Sequence, residues 1–363
     1  MQPGRLVAGL AVGTALLATV ACGATPAAKS PASSSNTVTS PVTLQETGSS
    51  LLYPLWNIWG PAFSKVNSKV SLTTASTGSG TGIASATSGT VQLGSSDAYM
   101  NSGQLAQYPG TLNIPLAISA QVIAYNVPGV TQQLKLSGPV LAGIYSGQIA
   151  NWNDPKIAAI NQGVTLPNLK IIPIHRVDSS GDSFLFTQYL SFTTPSWNST
   201  VGYNTSPSWP SVSTALGATG NSGMVTTLNQ TKGGIAYVGI SYLSSLKQDN
   251  LPYAELLNRA GNFVEPTQSN ISAAAAAKTP YTPSDERISL IYAPGANSYP
   301  IINYEYAIVE EQQSDGNTAA AVRAILGWAI TKGQAKSYLG QVNFIPLPPG
   351  TVQLSQAQIA KIK

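Results

Sequence analysis

With one cysteine and one histidine among 363 residues, the chain has no material for a disulfide framework and too few soft ligands for a structural zinc site. Charge is scarce as well. Only 9% of residues are Asp, Glu, Lys or Arg, and the net charge of +4 comes from 18 basic and 14 acidic side chains with no basic run or basic helix face. That excludes a nucleic-acid partner, which needs a concentrated cationic footprint. A surface of Ser, Thr, Asn and Gln is expected in place of charge, which is uncommon in cytoplasmic proteins. Long apolar runs are missing too: Leu6 to Val20 is too short to span a bilayer, and no longer run follows.

What is present begins with an address. Met1 to Arg5 form a short positive segment, Leu6 to Val20 an apolar one, and Thr19-Val20-Ala21-Cys22 a small-residue cleavage site, so residues 1–22 read as a signal peptide. Cys22 looks like the lipidated first residue of a bacterial lipoprotein, although Thr19 stands where Leu is commoner. This predicts an extracytoplasmic protein held to the cell membrane through lipid alone. Residues 23–40 are mostly Ala, Pro, Ser and Thr, the composition of a flexible tether. The folded part is expected from Pro41.

The length calls for two domains, since single cores stop growing well before it. Val42 to Gln45, Val70 to Ala75 and Val91 to Gly94 read as strands. Leu51, Leu52, Leu55, Trp56, Trp59 and Phe63 recur at helical spacing, and Ile83 to Thr87 starts another helix. The order βαβαβ implies a parallel sheet. After a strand at Ile114 to Ile118, a new unit is expected to begin with Val122 to Asn126. It holds strands at Leu169 to Ile174 and Ile235 to Val238, a helix at Ser183 to Leu190 with Phe184, Tyr189 and Leu190 buried, and a surface helix at Ala273 to Ala277. A strand at Pro300 to Val309 and helices at Thr318 to Thr331, Gln334 to Leu339 and Gln353 to Lys363 then return to the first unit. The expectation is an α/β clamshell, with 41–118 and 298–363 in lobe I and 119–297 in lobe II. Each lobe is a mainly parallel sheet flanked by helices, and a two-strand hinge joins them.

Three strand-to-helix turns carry the chemistry: Gly48 to Leu51, Gly78 to Gly82 and Ser180 to Asp182. Each sets Gly and polar residues before a helix, offering free N–H groups and the positive end of a helix dipole. Any one alone is an ordinary cap. Together with Asp97 at a strand end and Arg176 beside the third turn, they point to an oxyanion site. His175 is read as a packing neighbour of Arg176, and Trp56, Trp59 and Trp328 as core.

The stretches Thr47-Gly-Ser-Ser-Leu-Leu-Tyr-Pro54, Ser76-Thr-Gly-Ser-Gly-Thr-Gly82, Gly94-Ser-Ser-Asp-Ala98 and Arg176-Val-Asp-Ser-Ser-Gly-Asp-Ser-Phe184 resemble the phosphate-binding protein of the bacterial phosphate ABC transporter, in its order and approximate spacing. The resemblance runs from about Val42 to the C-terminus. It implies a type II periplasmic-binding-protein fold that captures inorganic phosphate between two lobes and delivers it to the permease subunits, without enzymatic activity or cofactor. It also implies ligand contacts from the Ser50 hydroxyl, the Leu51 N–H, Ser79, the Asp97 carboxylate, Arg176, the Ser180 hydroxyl and the N–H groups of Gly181 and Asp182, with Asp178 holding the arginine. Two positions depart from the family: Ser179 stands where Gly is common, and Asp182 where Thr is common.

Phosphate near neutral pH keeps a proton and sulfate keeps none, so Asp97 is expected to accept a hydrogen bond from the first and repel the second. Arg176 is expected to offset part of the ligand charge with its planar fork of donors. The rivals are the same fold with another oxyanion and a secreted serine hydrolase built on Ser50, Ser79 or Ser180. The hydrolase lacks parts, with one His and no G-x-S-x-G elbow. A nucleotide site lacks G-K-[ST].

Overall fold

The computed structural model describes residues 37–363, so the signal segment, Cys22 and residues 23–36 lie outside the described residues. The first elements follow the βαβαβ order. Strand β1 (Val42–Gly48) leads to helix α1 (Tyr53–Val66), β2 (Val70–Ser76), α2 (Ser79–Thr87) and β3 (Leu93–Ser96). β1 pairs in parallel with β2 and β3, because each helix carries the chain back across the sheet before the next strand. α1 buries Leu55, Trp56, Trp59 and Phe63. The Trp56 and Trp59 rings meet edge to face at 5.3 Å, and Trp59 and Phe63 pack on Trp328.

The expected break between Ile114–Ile118 and Val122–Asn126 does not occur. Both belong to one 16-residue strand, β4 (Thr111–Asn126), buried along nearly its whole length. Ser119 and Gln121, which lie between the two stretches, are fully buried and hydrogen-bonded inside the protein. The second lobe adds β5 (Ile172–Arg176), α3 (Gly181–Thr193), β6 (Leu216–Ala218), α4 (Gly220–Gln230) and β7 (Gly234–Gly239). The chain then returns through β8 (Ile302–Glu310) to α5 (Gly316–Ala329) and α6 (Pro349–Ile359).

The strand order is β2-β1-β3-β8-β4-β7-β5-β6. Both flanks are parallel, while β8 runs antiparallel to β3 and β4, and β4 antiparallel to β7. From Thr111 to Ala120, β4 pairs with β8; from Gln121 onward it pairs with β7. The chain thus passes between two lobes along a single strand.

Three local expectations change. Val38 is buried, Thr39 and Ser40 donate their N–H groups to Asn317, and Lys69 binds the Val38 and Thr39 carbonyls. Packing therefore starts ahead of Pro41. Phe184 is only half-buried, because α3 begins at Gly181 and that helical phase turns it toward Tyr99 and Tyr203, beside a cavity of about 480 Å³. The alanine-rich helix Gln268–Lys278 buries Ile271, Ala274 and Ala275 rather than lying free on the surface. Past it, Thr282, Ser284, Glu286 and Arg287 already bond to Tyr304, Gln358, Ser355 and Met100. Among the described residues, no helix is long and apolar enough to cross a membrane.

Candidate functional site

The three turns meet. Gly80 N–H on the second donates to the Ser179 carbonyl on the third at 2.9 Å. A Cβ added to Gly181 would lie 2.5 Å from both Asp97 Oδ2 and Ser79 Oγ, so only glycine lets the second lobe approach this closely. Ser50 on the first turn accepts from Asn221 N at 3.1 Å and Asn221 Nδ2 at 2.9 Å, and Ser241 donates to the Leu51 carbonyl at 2.8 Å.

Asp97 sits at the end of β3, is 2% exposed, and is surrounded by donors. Ser49 Oγ donates to Oδ1, and Ser79 Oγ donates to Oδ2 at 3.2 Å. Burial pushes the carboxyl up, while hydrogen bonds from Glu305 and Ser49 and the Arg176 charge pull it back. The first turn is fixed from behind: the backbone at Gly48 has a φ of +140°, and a Cβ there would collide with the Ser95 carbonyl. Ser49 Oγ accepts from Leu51 N at 3.1 Å and Leu52 N at 3.0 Å. The Leu51 N–H named from the sequence is therefore already engaged within its own turn, and the hydroxyl reaching Asp97 is that of Ser49, not of Ser50.

In the second lobe, Arg176 at the end of β5 is 3% exposed. Its Nε donates to Asp178 Oδ1 at 2.7 Å, its Nη2 pairs with Asp178 Oδ2, and its Nη1 donates to Asp182 Oδ2 at 2.9 Å. The fork is thus largely consumed by two carboxylates. Burial alone would raise Asp178, but the Arg176 hydrogen bond and charge hold it below the usual range. Burial would likewise lower Arg176, yet its two carboxylate partners raise it, so it stays charged. Asp182 is pushed up to about 7, by burial first and then by the charge of Asp97, despite Arg176, Gln121 and Asn221. Ser180 caps α3 by accepting from Ser183 N at 3.2 Å. The N–H groups of Gly181 and Asp182 open the helix and have no carbonyl one turn back.

Four residues were not named as site members. Ser49 and Glu305 contact Asp97. Tyr237 donates no charge but its OH accepts from Arg176 N at 2.8 Å. Asn221 bridges Ser50 and Asp182, reaching the latter at 2.7 Å. The signal for Asn221 was present: Thr219-Gly220-Asn221 is a fourth strand-to-helix junction of the kind already used. His175 stacks on Trp209 at 4.9 Å and takes no part.

This arrangement of a buried carboxylate among hydroxyls, helix N-termini and a neutralised arginine, set between two α/β lobes, defines a solute-binding protein. Residues 26–332 match the family model described as the PBP superfamily domain. The phosphate-binding protein PstS of Pasteurella multocida is 35% identical over 318 residues, covering 87% of this chain and 89% of that one. PstS of Methanocaldococcus jannaschii is 30% identical over 351 residues, covering 91% and 89%. The chain belongs to the PstS family of phosphate-binding proteins. A phosphate-binding protein from Stenotrophomonas maltophilia shares the fold at a TM-score of 0.67 and 21% identity, covering 87% of this chain and 93% of that chain. A Clostridium perfringens substrate-binding protein with bound phosphate does so at 0.61 and 16%, covering 85% and 100%.

Proposed function

We propose that this protein captures inorganic phosphate in the cleft between its lobes and hands it to the permease of an ABC transporter. The observation that carries this is Asp97, a carboxylate buried among hydroxyl donors directly against the N-terminus of α3. A full negative charge in such a place repels any oxyanion unless that anion brings its own proton. Ser50, Ser79, Arg176, Ser180 and the N–H groups of Leu51, Gly181 and Asp182 supply the remaining contacts, with Asp178 and Asp182 balancing the arginine. Leu51 joins them only if its turn releases Ser49. The lobes divide as 41–118 with 298–363 against 119–297, with residues 38–40 and 282–287 packed onto the first, and the partner switch of β4 at Ala120–Gln121 serves as the hinge.

The protein is read as a carrier and not an enzyme, its single His being stacked on Trp209 with the Arg176 carbonyl as its hydrogen-bond partner. It works outside the cytoplasm on a tether, with Cys22 as the lipidated anchor. The test is equilibrium binding of phosphate and sulfate, read through tryptophan fluorescence, for the native chain and Asp97→Asn. The native chain should prefer phosphate by at least about 10⁴-fold, and the variant should lose most of that ratio while still binding. Equal affinity of the native chain for both anions would overturn the reading.

A further inference from the structure

Glu305 lies on β8, is fully buried, and belongs to no contact expected from the sequence. β8 runs antiparallel to β3 with Tyr306 opposite Ser96 and Ala307 opposite Ser95. That ladder ends at Tyr306 and Ser96, one residue short of Glu305 and Asp97, so the two acids lie at the same end of the β3–β8 pair. Asn303 ties the two together, its Nδ2 donating to Glu305 Oε1 at 3.0 Å and lying 3.4 Å from the Asp97 carbonyl. Two buried carboxyls set side by side are not both ionised, so one carries a proton.

The surroundings say which. Glu305 Oε1 receives Asn303 Nδ2 at 3.0 Å and lies 2.5 Å from Ser119 Oγ. Oε2 is buried and has no hydroxyl or amide partner, which leaves it to carry a proton. Asp97 instead receives two hydroxyl donors, from Ser49 and Ser79, and these favour its ionised form.

We propose that Glu305 is a permanently protonated positioning acid that donates to Asp97, keeps Asp97 ionised, and thereby sets the oxyanion selectivity of the cleft. The inference rests on the phosphate reading given above. One proton serves the two carboxyls. With it on Glu305, Asp97 can only accept, and a protonated oxyanion is selected. With it on Asp97, the same carboxyl becomes a donor, and a fully deprotonated anion is accepted as well. Burial and the neighbouring Asp97 charge both push Glu305 far above the ordinary carboxyl range. Asp97 is the charged group facing it from β3, while β4 contributes neutral Ser119 and β8 itself neutral Asn303. Arg176 and Asp182 of the second lobe act on Asp97 with opposite signs.

The experiment compares the full chain with Glu305→Gln and Glu305→Leu, titrating phosphate and sulfate from about pH 5 to about pH 9. Gln keeps an N–H for Asp97 and an oxygen for Asn303, so its phosphate-to-sulfate ratio should stay within about threefold of the native one. Leu removes the donor and obliges Asp97 to take up the proton. The ratio should then fall by more than about tenfold, and the acid limb of phosphate binding should move to higher pH. A Leu variant with native ratio and limb, or a Gln variant that falls as far as Leu, overturns the assignment. A native chain that binds no phosphate would sink the phosphate reading instead. An infrared difference between the native chain and Glu305→Gln at neutral pH needs neither ligand nor the Leu variant. It should show the carbonyl stretch of a protonated carboxylic acid lost with Glu305, and absence of that band refutes the proposal even if Glu305→Leu fails to fold.

Discussion

The two lobes bring opposite electrostatics to the cleft. The first contributes one charge, Asp97, among the hydroxyls of Ser49 and Ser79. The second contributes a cation, Arg176, whose charge is offset by the ionised Asp178, with Asp182 as a further hydrogen-bond partner. On the proposed function, selectivity resides in the first lobe, where the Asp97 carboxylate reads a proton. The second lobe supplies positioned N–H groups and a local balance of charge, which lets a buried ion network exist without attracting every anion equally. Binding by neutral dipoles also suits a carrier, because the ligand leaves once the lobes separate.

The comparison breaks most severely at Arg176. Replacing it by Ala leaves Asp178 and Asp182 without their cation, so phosphate binding should fall by more than about a hundredfold and the protein should lose roughly 3 to 5 kcal/mol of stability. Fluorescence titration and denaturant melts measure both, and unchanged affinity would remove the arginine from the site. Asn221→Ala comes next. It cuts the contact that joins Ser50 in the first lobe to Asp182 in the second and frees Gly239 N–H. A cost of about 1 to 3 kcal/mol, with phosphate weakened about tenfold, is expected by the same titrations. A loss of stability with native affinity would show that Asn221 only props the second lobe.

The smallest effect sharpens the contrast through pH. Burial in β1 pushes Glu46 up to about 8, and burial together with the Asp97 charge pushes Asp182, held by three donors, up to about 7. Both hold protons in the native state that the unfolded chain has released, so their contribution is present below the ordinary carboxyl range and is lost as pH rises through the folded values. Stability should fall from about pH 5 toward about pH 8, by roughly 1 kcal/mol per pH unit for each proton held. Glu46→Gln should flatten the slope more than Asp182→Asn. Chemical denaturation across that range decides, and a slope of opposite sign would show these acids to be ionised.

Much of the fold was legible because its signals are local. β2 and α1 follow from alternating and helical apolar spacing, and the turns at Gly48, Gly78 and Ser180 from Gly and capping residues before a helix. Asp178 beside Arg176 was legible for the same reason, being two residues away. What failed was whatever depends on distant chain. β4 reads in sequence as the end of one unit and the start of another, whereas its Ser119 and Gln121 are held by Asn303 and Asp182, 184 and 61 residues away. Asn221 meets Ser50 across 171 residues, and Glu305 meets Ser119 across 186.

By itself, then, the chain's order of residues set the turns, the caps and the choice of one arginine and one carboxylate, since backbone sterics and capping hydrogen bonds act within a few positions. Which of Ser49 and Ser50 touches Asp97, how far Arg176 is neutralised, and where the proton between Asp97 and Glu305 sits were decided only by the tertiary structure. Protonation and hydrogen-bond partnership depend on burial and on neighbouring charge, and both are properties of the assembled interior.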